Sequence, residues 1–440
     1  MDARHDPDLR TASPPRSGRP ETGLPRVVIL GAGFAGLAAA QALAGARVAV
    51  TLIDVNNYHL FVPLLYQVAT AALSPADIAE PIRHIVAASE NIEVVLGEVS
   101  GVDPEAREVR LADGTAIPYD RLVVATGSTT SYFGHDAWAD HAPSLKSIEE
   151  ARAIRTRVLQ GFELAERAAD PAERDRLMTI VVVGGGPTGV EMAGSLAELA
   201  RHALARDFRH IDPTTARVLL VEAGPRLLAA FPEDLAAYAR RSLERLGVSI
   251  LTNRAVETID ADGVVIGGER IPAATVVWGA GVRASPAAAW LRVATDRSGR
   301  IPVEPDLSVT GLPDIYALGD TALCRDERGE PLPGLAQVAQ QQGTHLGQAL
   351  RANLEQGRPM PPFRFRNRGN AAIVGRHAAV FDFGPRRHLR GSPAWLLWAA
   401  VHVVLLVDFS QRARVSLQWL WRYVTYRRGA RLITAPPPRR

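Results

Sequence analysis

Two sets of three glycines, about 150 residues apart, carry the chemistry that this chain can do. Gly31, Gly33 and Gly36 lie in VVILGAGFAGL, and Gly184, Gly186 and Gly189 lie in IVVVGGGPTGVE. Each set follows an apolar β-branched run and opens an alanine-rich helical pattern, so each sits at a strand-to-helix turn. In such a turn the first glycine makes the tight bend. The second lets backbone N–H groups approach a pyrophosphate, and the third lets helix and strand pack closely. The helix N-terminus then turns its positive dipole end toward the phosphates. Phe34 and Ala35, inside the first turn, belong to the same contact surface. Two such turns predict two adenine dinucleotides, a pairing that usually means a flavin and a nicotinamide.

An acid follows each turn. Asp54 ends the strand VAVTLID, 23 residues after Gly31, where a carboxylate can accept hydrogen bonds from a ribose. Glu222 ends VLLVE in the same position relative to the second turn, further away because the intervening helix runs on. A carboxylate there repels a 2′-phosphate and favours NADH over NADPH, although Arg226 lies close in sequence and weakens that inference.

The elements that must position these residues read as alternating strands and helices. RLVVATGS is a buried strand ending at Thr126 and Gly127, a turn suited to contact the flavin dinucleotide, and TVVWGAGV, with Gly281, mirrors it. Near IYALGDTA the chain returns to the first domain, placing Gly319 and Asp320 at a strand end, with Asp320 poised for a ribityl hydroxyl. GLAQVAQQQGTHLGQAL then reads as a helix whose first turn points at the flavin ring, where its dipole stabilises negative charge on the reduced form. Gln337, Gln340 and Gln341 offer amides that suit a neutral dicarbonyl substrate; a solvated glutamine face is the alternative. The segment NNYHLFVPLLYQVATAALSPADIAEPIR is unusually apolar for a connection, and Pro63, Pro75 and Pro81 break it into short helices.

The chain has 440 residues, 47% of them hydrophobic, enough for two or three cores, and a formal charge of only +3. Cys324 is the single cysteine, which excludes a disulfide framework, an iron–sulfur cluster, a dithiol relay and a cysteine-based sulfide oxidase. No cluster has metal-ligand spacing, nothing points to nucleic acid, and His59 and His345 read as structural. The first 25 residues are polar and rich in Pro and Arg, lack the apolar core of a signal peptide, and read as a disordered tail.

At the other end, AWLLWAAVHVVLLV is uncharged apart from His402 but shorter than the ~20 residues of a membrane span. QRARVSLQWLWRYVTYRRGARLI is amphipathic: Arg414, Gln418 and Arg422 share one face, opposite Leu417, Leu420, Trp421 and Val424. Residues 411–440 hold eight Arg and no acid. Together with Trp395, Trp398, Trp419 and Tyr423, they describe a helix lying in the interface beside anionic lipid, dispensable for the dinucleotide units. A homodimer interface, or a helix capping the core, is the alternative.

From about residue 26 to 433 the chain resembles the type II NADH:quinone oxidoreductases, the single-subunit, non-proton-pumping NADH dehydrogenases. The segments that carry the resemblance are NNYHLFVPLLYQVATAALSPADIAEPIR, VVVGGGPTGVEMAG, GLAQVAQQQG and the AWLLW…RGARLI tail. It implies an α/β fold of two Rossmann-type domains, for non-covalent FAD and NADH, followed by a membrane-interfacial helical region. The expected boundaries are 26–146 and 296–390 for the FAD domain, 147–295 for the NADH domain and 391–440 for the tail. The family's AQxAxQ motif, which borders its quinone pocket, falls on Ala336, Gln337 and Gln340, and the acid of its second turn falls on Glu191. Asp54 departs from the family, whose first acid is often Glu.

The reading is therefore electron transfer from NADH through FAD to a membrane quinone, at the cytoplasmic face of the inner (plasma) membrane. Catalytic roles fall to Glu191, Gln337 and Gln340, with Glu191 as proton relay or nicotinamide-positioning group. A soluble NAD(P)H-dependent flavin reductase of the same fold, or a non-catalytic redox-sensing scaffold, remains as an alternative.

Overall fold

The computed structural model describes residues 23–384, 387–405, 412–419 and 430–433. The polar N-terminal tail lies almost wholly outside them, as do Leu420, Trp421, Arg422, Tyr423, Val424, Arg427 and Arg428. The chain forms two compact units. One comprises Met1–His59, Pro81–Ser128 and Ala284–Phe365; the other comprises Leu60–Glu80, Thr129–Arg283 and Arg366–Arg440.

The first unit is built on a six-stranded sheet ordered Ser308–Val309, Leu312–Ala317, Arg121–Val124, Arg26–Leu30, Ala49–Asp54, Ile92–Leu96. All neighbours pair in parallel except the outermost, Ser308–Val309. Parallel strands covered on both faces must be apolar throughout, which is why VVIL and LVV read as unbroken runs. Val27 and Ile29 pack into the core on one face, Val28 and Leu30 into the core on the other. The helices Phe34–Ala42 and Ala336–Gln356 cross closely: a Cβ at Gly343 would collide with the carbonyl of Ala35, and one at Gly347 with that of Ala39. The strand that carries the first glycine turn lies inside the sheet, at the switch in strand order where open α/β sheets place their ligands.

The second unit repeats the plan with four parallel strands, ordered Val248–Thr252, Arg217–Glu222, Thr179–Val183, Thr275–Trp278. The charged segment before it forms the helix Ile148–Arg167. Ser147 caps that helix by accepting from Glu150 N–H while Glu150 accepts back, a reciprocal capping box.

The division differs from the boundaries read on the sequence in four places. Residues 129–146, drawn within the first domain, join the second unit, where Trp278 N–H donates to Pro143 O at 3.0 Å. Residues 60–80, drawn within the first domain, join the second unit: Leu65 and Val68 are fully buried, and Thr70 Oγ1 meets Ser195 Oγ at 2.8 Å. Residues 284–295 belong to the first unit, where Ala287 and Leu291 complete its core. Strand Asn370–Gly375 belongs to the second, because Gly194 lacks a side chain and lets the carbonyl of Val374 come close.

The tail departs further from expectation. Helix Ser392–Leu405 buries Ala394 and Trp398, the latter only 2% exposed. His402, the polar interruption in the run, stacks on Trp398 with ring centroids 4.1 Å apart. Burial pushes its pKa down to about 4, so it stays neutral. In the following helical residues 412–419, Val415 is buried. Gln418, assigned to a polar outer face, instead donates to the Asp77 carboxylate at 3.2 Å, whereas Leu417 is 67% exposed. This part of the tail is thus core on one side. Leu396, Ala400 and Val404, at helical spacing, form an exposed apolar stripe on the other. Among the described residues, no helix is long and apolar enough to cross a membrane.

Candidate functional site

The two glycine turns are built alike, bond for bond. Gly31, at φ +94°, donates to Ile53 O at 2.7 Å; Gly184, at φ +109°, donates to Val221 O at 2.8 Å. Both conformations favour glycine, and a Cβ at either would run into the neighbouring strand end, at Ala125 or Gly279. A Cβ at Gly36 or Gly189 would strike the carbonyl of Gly31 or Gly184. The middle glycines are different. Gly33 and Gly186 stand at the starts of helices Phe34–Ala42 and Pro187–Glu198, neither helix has a side-chain cap, and a Cβ at either position would meet nothing within 4 Å. Open space before an uncapped helix N-terminus is the cradle that a pyrophosphate needs. The residues present therefore fit a dinucleotide at each turn.

The acids are placed by the same construction. Asp54 accepts from Ala32 N–H at 2.7 Å and Asn56 N–H at 2.7 Å; Glu222 accepts from Gly185 N–H at 2.6 Å and Gly224 N–H at 2.6 Å. Each carboxylate is thus fixed against its own glycine turn, with lone pairs left over. Burial raises the pKa of Asp54 above the usual value, against the pull of its two N–H donors. Arg226, the residue that weakened the NADH inference, donates to the carbonyls of Phe231 and Ala229 at 2.8 Å each, tying down its own loop.

Around the first turn, His59 is buried and donates from Nδ1 to Ala32 O at 2.8 Å, edge-on to Phe34. Thr126 Oγ1 lies 2.5 Å from Ser285 Oγ, and the Gly127 carbonyl accepts from Ser285 N–H and Thr321 Oγ1. Asp320 accepts from Ser128 Oγ at 2.7 Å, and Gly319 N–H donates to Gln342 Oε1 at 2.7 Å. Ser128, Ser285, Thr321 and Gln342 escaped the sequence reading. Ser128 and Thr321 lie within RLVVATGS and IYALGDTA beside the residues singled out there, Ser285 carries no motif, and Gln342 hides in a run of glutamines. Ala336 and Gln337 fall on the first turn of helix Ala336–Gln356 and Gln340 begins the second, all half-buried, while Gln342 is the glutamine that enters the core. His345 donates to Pro361 O at 3.0 Å.

Around the second turn, Gly279 makes the close approach to the first glycine, donating to Val183 O at 2.7 Å. Gly281 lies two residues on, where its carbonyl accepts from Ser131 N–H and a Cβ would meet the Phe133 ring.

Glu191 lies on helix Pro187–Glu198, which opens at the second turn, and accepts from Ile373 N–H at 3.3 Å. It faces a cavity of about 110 Å³ whose walls include Tyr66, Gln67, Ser195, Glu198, Trp398 and Trp419. Burial pushes its pKa up to about 8, since one long hydrogen bond cannot replace hydration of a carboxylate. At neutral pH it therefore carries a proton.

Residues 25–343 match the family described as pyridine nucleotide-disulphide oxidoreductase. The type II NADH:quinone oxidoreductase Ndh of Mycobacterium tuberculosis is 41% identical over 438 residues, covering 96% of this chain and 92% of that protein. NdhA of the same organism, which carries the same description, is 42% identical, covering 95% and 92%. The chain belongs to the type II NADH:quinone oxidoreductase family. The fold agrees: the solved structure of NDH2 from Plasmodium falciparum in complex with NADH has a TM-score of 0.84 at 20% identity, covering 93% of this chain and all of that one. Membership of this family sets the chain apart from members of the wider group that use a redox disulfide, since its one cysteine, Cys324, is buried and unpaired.

Proposed function

We propose that this chain is a membrane-associated flavoprotein that transfers electrons from NADH through FAD to a membrane quinone without pumping protons. The observation that carries the reading is the duplicated turn with its acid, standing in a chain that matches type II NADH:quinone oxidoreductases over nearly its whole length. The turn at Gly31, Gly33 and Gly36, with Asp54, Thr126, Gly127, Gly319 and Asp320, holds the FAD. The turn at Gly184, Gly186 and Gly189, with Glu222, holds NADH. When bound, FAD supplies the redox chemistry, accepting a hydride equivalent from NADH and releasing two electrons to the quinone. The protein's part is to position, to exclude water and to hold a proton. Gln337 and Gln340 offer uncharged amides to the quinone carbonyls, and Glu191 keeps a transferable proton.

The exposed stripe of Leu396, Ala400 and Val404, with exposed Leu417, Leu432 and Ile433 and an Arg-rich C-terminus, supports docking on an anionic bilayer from the cytoplasmic side. The decisive experiment is stopped-flow absorbance. NADH should bleach the flavin in one phase, and a quinone should restore it in a second, separate phase. Flavin reduced by NADH but reoxidised only by a protein partner or by oxygen would overturn the reading in favour of a soluble reductase.

A further inference from the structure

Helix Pro187–Glu198 carries a polar row that leads away from the glycine turn. Glu191, Ser195, Glu198 and His202 follow at i, i+4, i+7 and i+11, the spacing that stacks side chains on one helical face. All four line the cavity. The last turn, Leu199–Ala203, is a π-turn closed by Leu204 N–H on Leu199 O at 3.0 Å, and His202 sits within it. Insertions of this kind gather at functional sites. Along the row Ser195 is buried, Glu191 and Glu198 are half-buried, and His202 is exposed.

The neighbouring backbone holds the carboxylates in line. Ile373 N–H donates to Glu191 Oε1, and Arg376 N–H donates to Glu198 Oε1. Gly375 lies between those donors at φ +154°, where a Cβ would meet Leu246 at 2.7 Å and Glu198 Oε1 at 3.0 Å. Ser195 Oγ is paired with Thr70 Oγ1. Tyr66 and Arg376 are the other titratable or charged side chains on the cavity wall.

The reaction requires such a row. Quinone reduction to quinol consumes two electrons and two protons, and NADH delivers two electrons with one proton. One further proton per turnover must come from water: NADH, quinone and a proton give NAD and quinol.

We propose that this helix face is the proton inlet for quinol formation, with His202 taking the proton from solvent, Glu198 and Ser195 passing it inward, and Glu191 receiving it at the cavity. Each group can both accept and donate a proton, and the row starts at exposed His202 and passes through buried Ser195 to Glu191. The proposal rests on the NADH:quinone reading above.

Glu198→Gln and His202→Gln keep the size of each side chain and impair its proton transfer. With a short-chain quinone their turnover should fall roughly tenfold or more. With ferricyanide, which takes electrons and no proton, it should fall far less. Glu198→Asp should recover most of the loss, and added imidazole should recover His202→Ala. Infrared difference spectra give a readout independent of turnover. The carboxyl band of Glu191, identified by its disappearance in Glu191→Gln, should exchange with deuterium more slowly in Glu198→Gln. Equal losses with both acceptors, or an unchanged exchange rate, would overturn the inlet. If Glu198→Gln fails to fold, because Arg376 N–H leans on it, exposed His202 carries the same test. Failure of the underlying reading looks different: wild-type flavin, reduced by NADH, would not be reoxidised by quinone at all.

Discussion

Trp419 donates its indole N–H to Gln67 Oε1 at 3.0 Å, and Gln67 passes the bond on to the Tyr66 hydroxyl at 2.9 Å. This pair ties the C-terminal region to the apolar segment 60–80. Trp419 also stacks on Trp398, with ring centroids 5.4 Å apart. Removing residues 391–440 therefore strips a cavity wall as well as the proposed anchor, and should lower stability along with quinone turnover. Trp419→Phe keeps the stacking and loses the hydrogen bond, at a cost of about 1 kcal/mol, whereas Trp398→Ala should cost about 3–5 kcal/mol. Urea unfolding of the FAD-loaded protein measures both. Equal stability of the truncated and full-length chains would show that the tail is only an appendage.

Coenzyme choice should turn on Glu222. Glu222→Gln relieves repulsion of a 2′-phosphate and should raise affinity for NADPH relative to NADH, read as the ratio of the two kcat/KM values. The exchange has a structural cost. A glutamine has one oxygen to offer where Gly185 and Gly224 N–H both seek an acceptor, so about 1–3 kcal/mol of stability should be lost with it. A wild-type enzyme that uses both coenzymes equally would remove Glu222 from this role.

Gly33 and Gly36 should fail in different ways. A Cβ at Gly33 meets nothing in the protein, so Gly33→Val should fold and lose FAD, because the branched side chain fills the pyrophosphate's place. Gly36→Val drives a side chain into the carbonyl of Gly31 and should reduce soluble yield and melting temperature. Flavin content after acid release, set beside far-ultraviolet circular dichroism, separates the two outcomes.

The pH dependence follows from Glu191. Its raised pKa, about 8, makes the protonated form dominant at neutral pH and depletes it as pH rises through that value. Flavin reoxidation by quinone should accordingly slow above about pH 8, while flavin reduction by NADH should not share that limb. Glu191→Gln should abolish the limb and slow reoxidation at every pH. A variant whose two half-reactions match wild type would exclude Glu191 from the mechanism.

Membrane docking should have two separable parts. Leu396→Ser with Val404→Ser removes apolar area from the exposed stripe and should weaken binding to anionic vesicles equally at low and high salt. Added salt should weaken wild-type binding through the Arg-rich terminus, at ~1 kcal/mol per charge lost near the surface. Vesicle co-sedimentation reports both effects. Binding unchanged in the double variant would send the stripe to another partner.

The glycine turns and their acids were legible in the sequence because local physics dictates them: positive φ, close packing and a strand-end carboxylate leave little choice of residue. What stayed hidden depends on long-range packing. No periodicity reveals that Gln418 will find Asp77 across 341 positions, or that Ser128 will meet Asp320. Helical spacing gave the tail two faces, but only tertiary contacts decide which of them turns inward. The unit boundaries were misplaced for the same reason, since Thr70 and Val374 are held by the helix of Glu191 and not by their neighbours in sequence.

The two turns differ in one respect that couples distant positions. The first pairs Asp54 with Ala32, the second Glu222 with Gly185. A Cβ at Gly185 would lie 2.7 Å from Leu227 Cδ2, 2.9 Å from Glu222 Oε2 and 3.0 Å from its Cβ. Leu227 and the acid together thus occupy the room that the alanine methyl takes in the first turn. Glu222, Leu227 and the residue after the leading glycine form a single volume unit, and Gly185 can gain a side chain only if both neighbours give way.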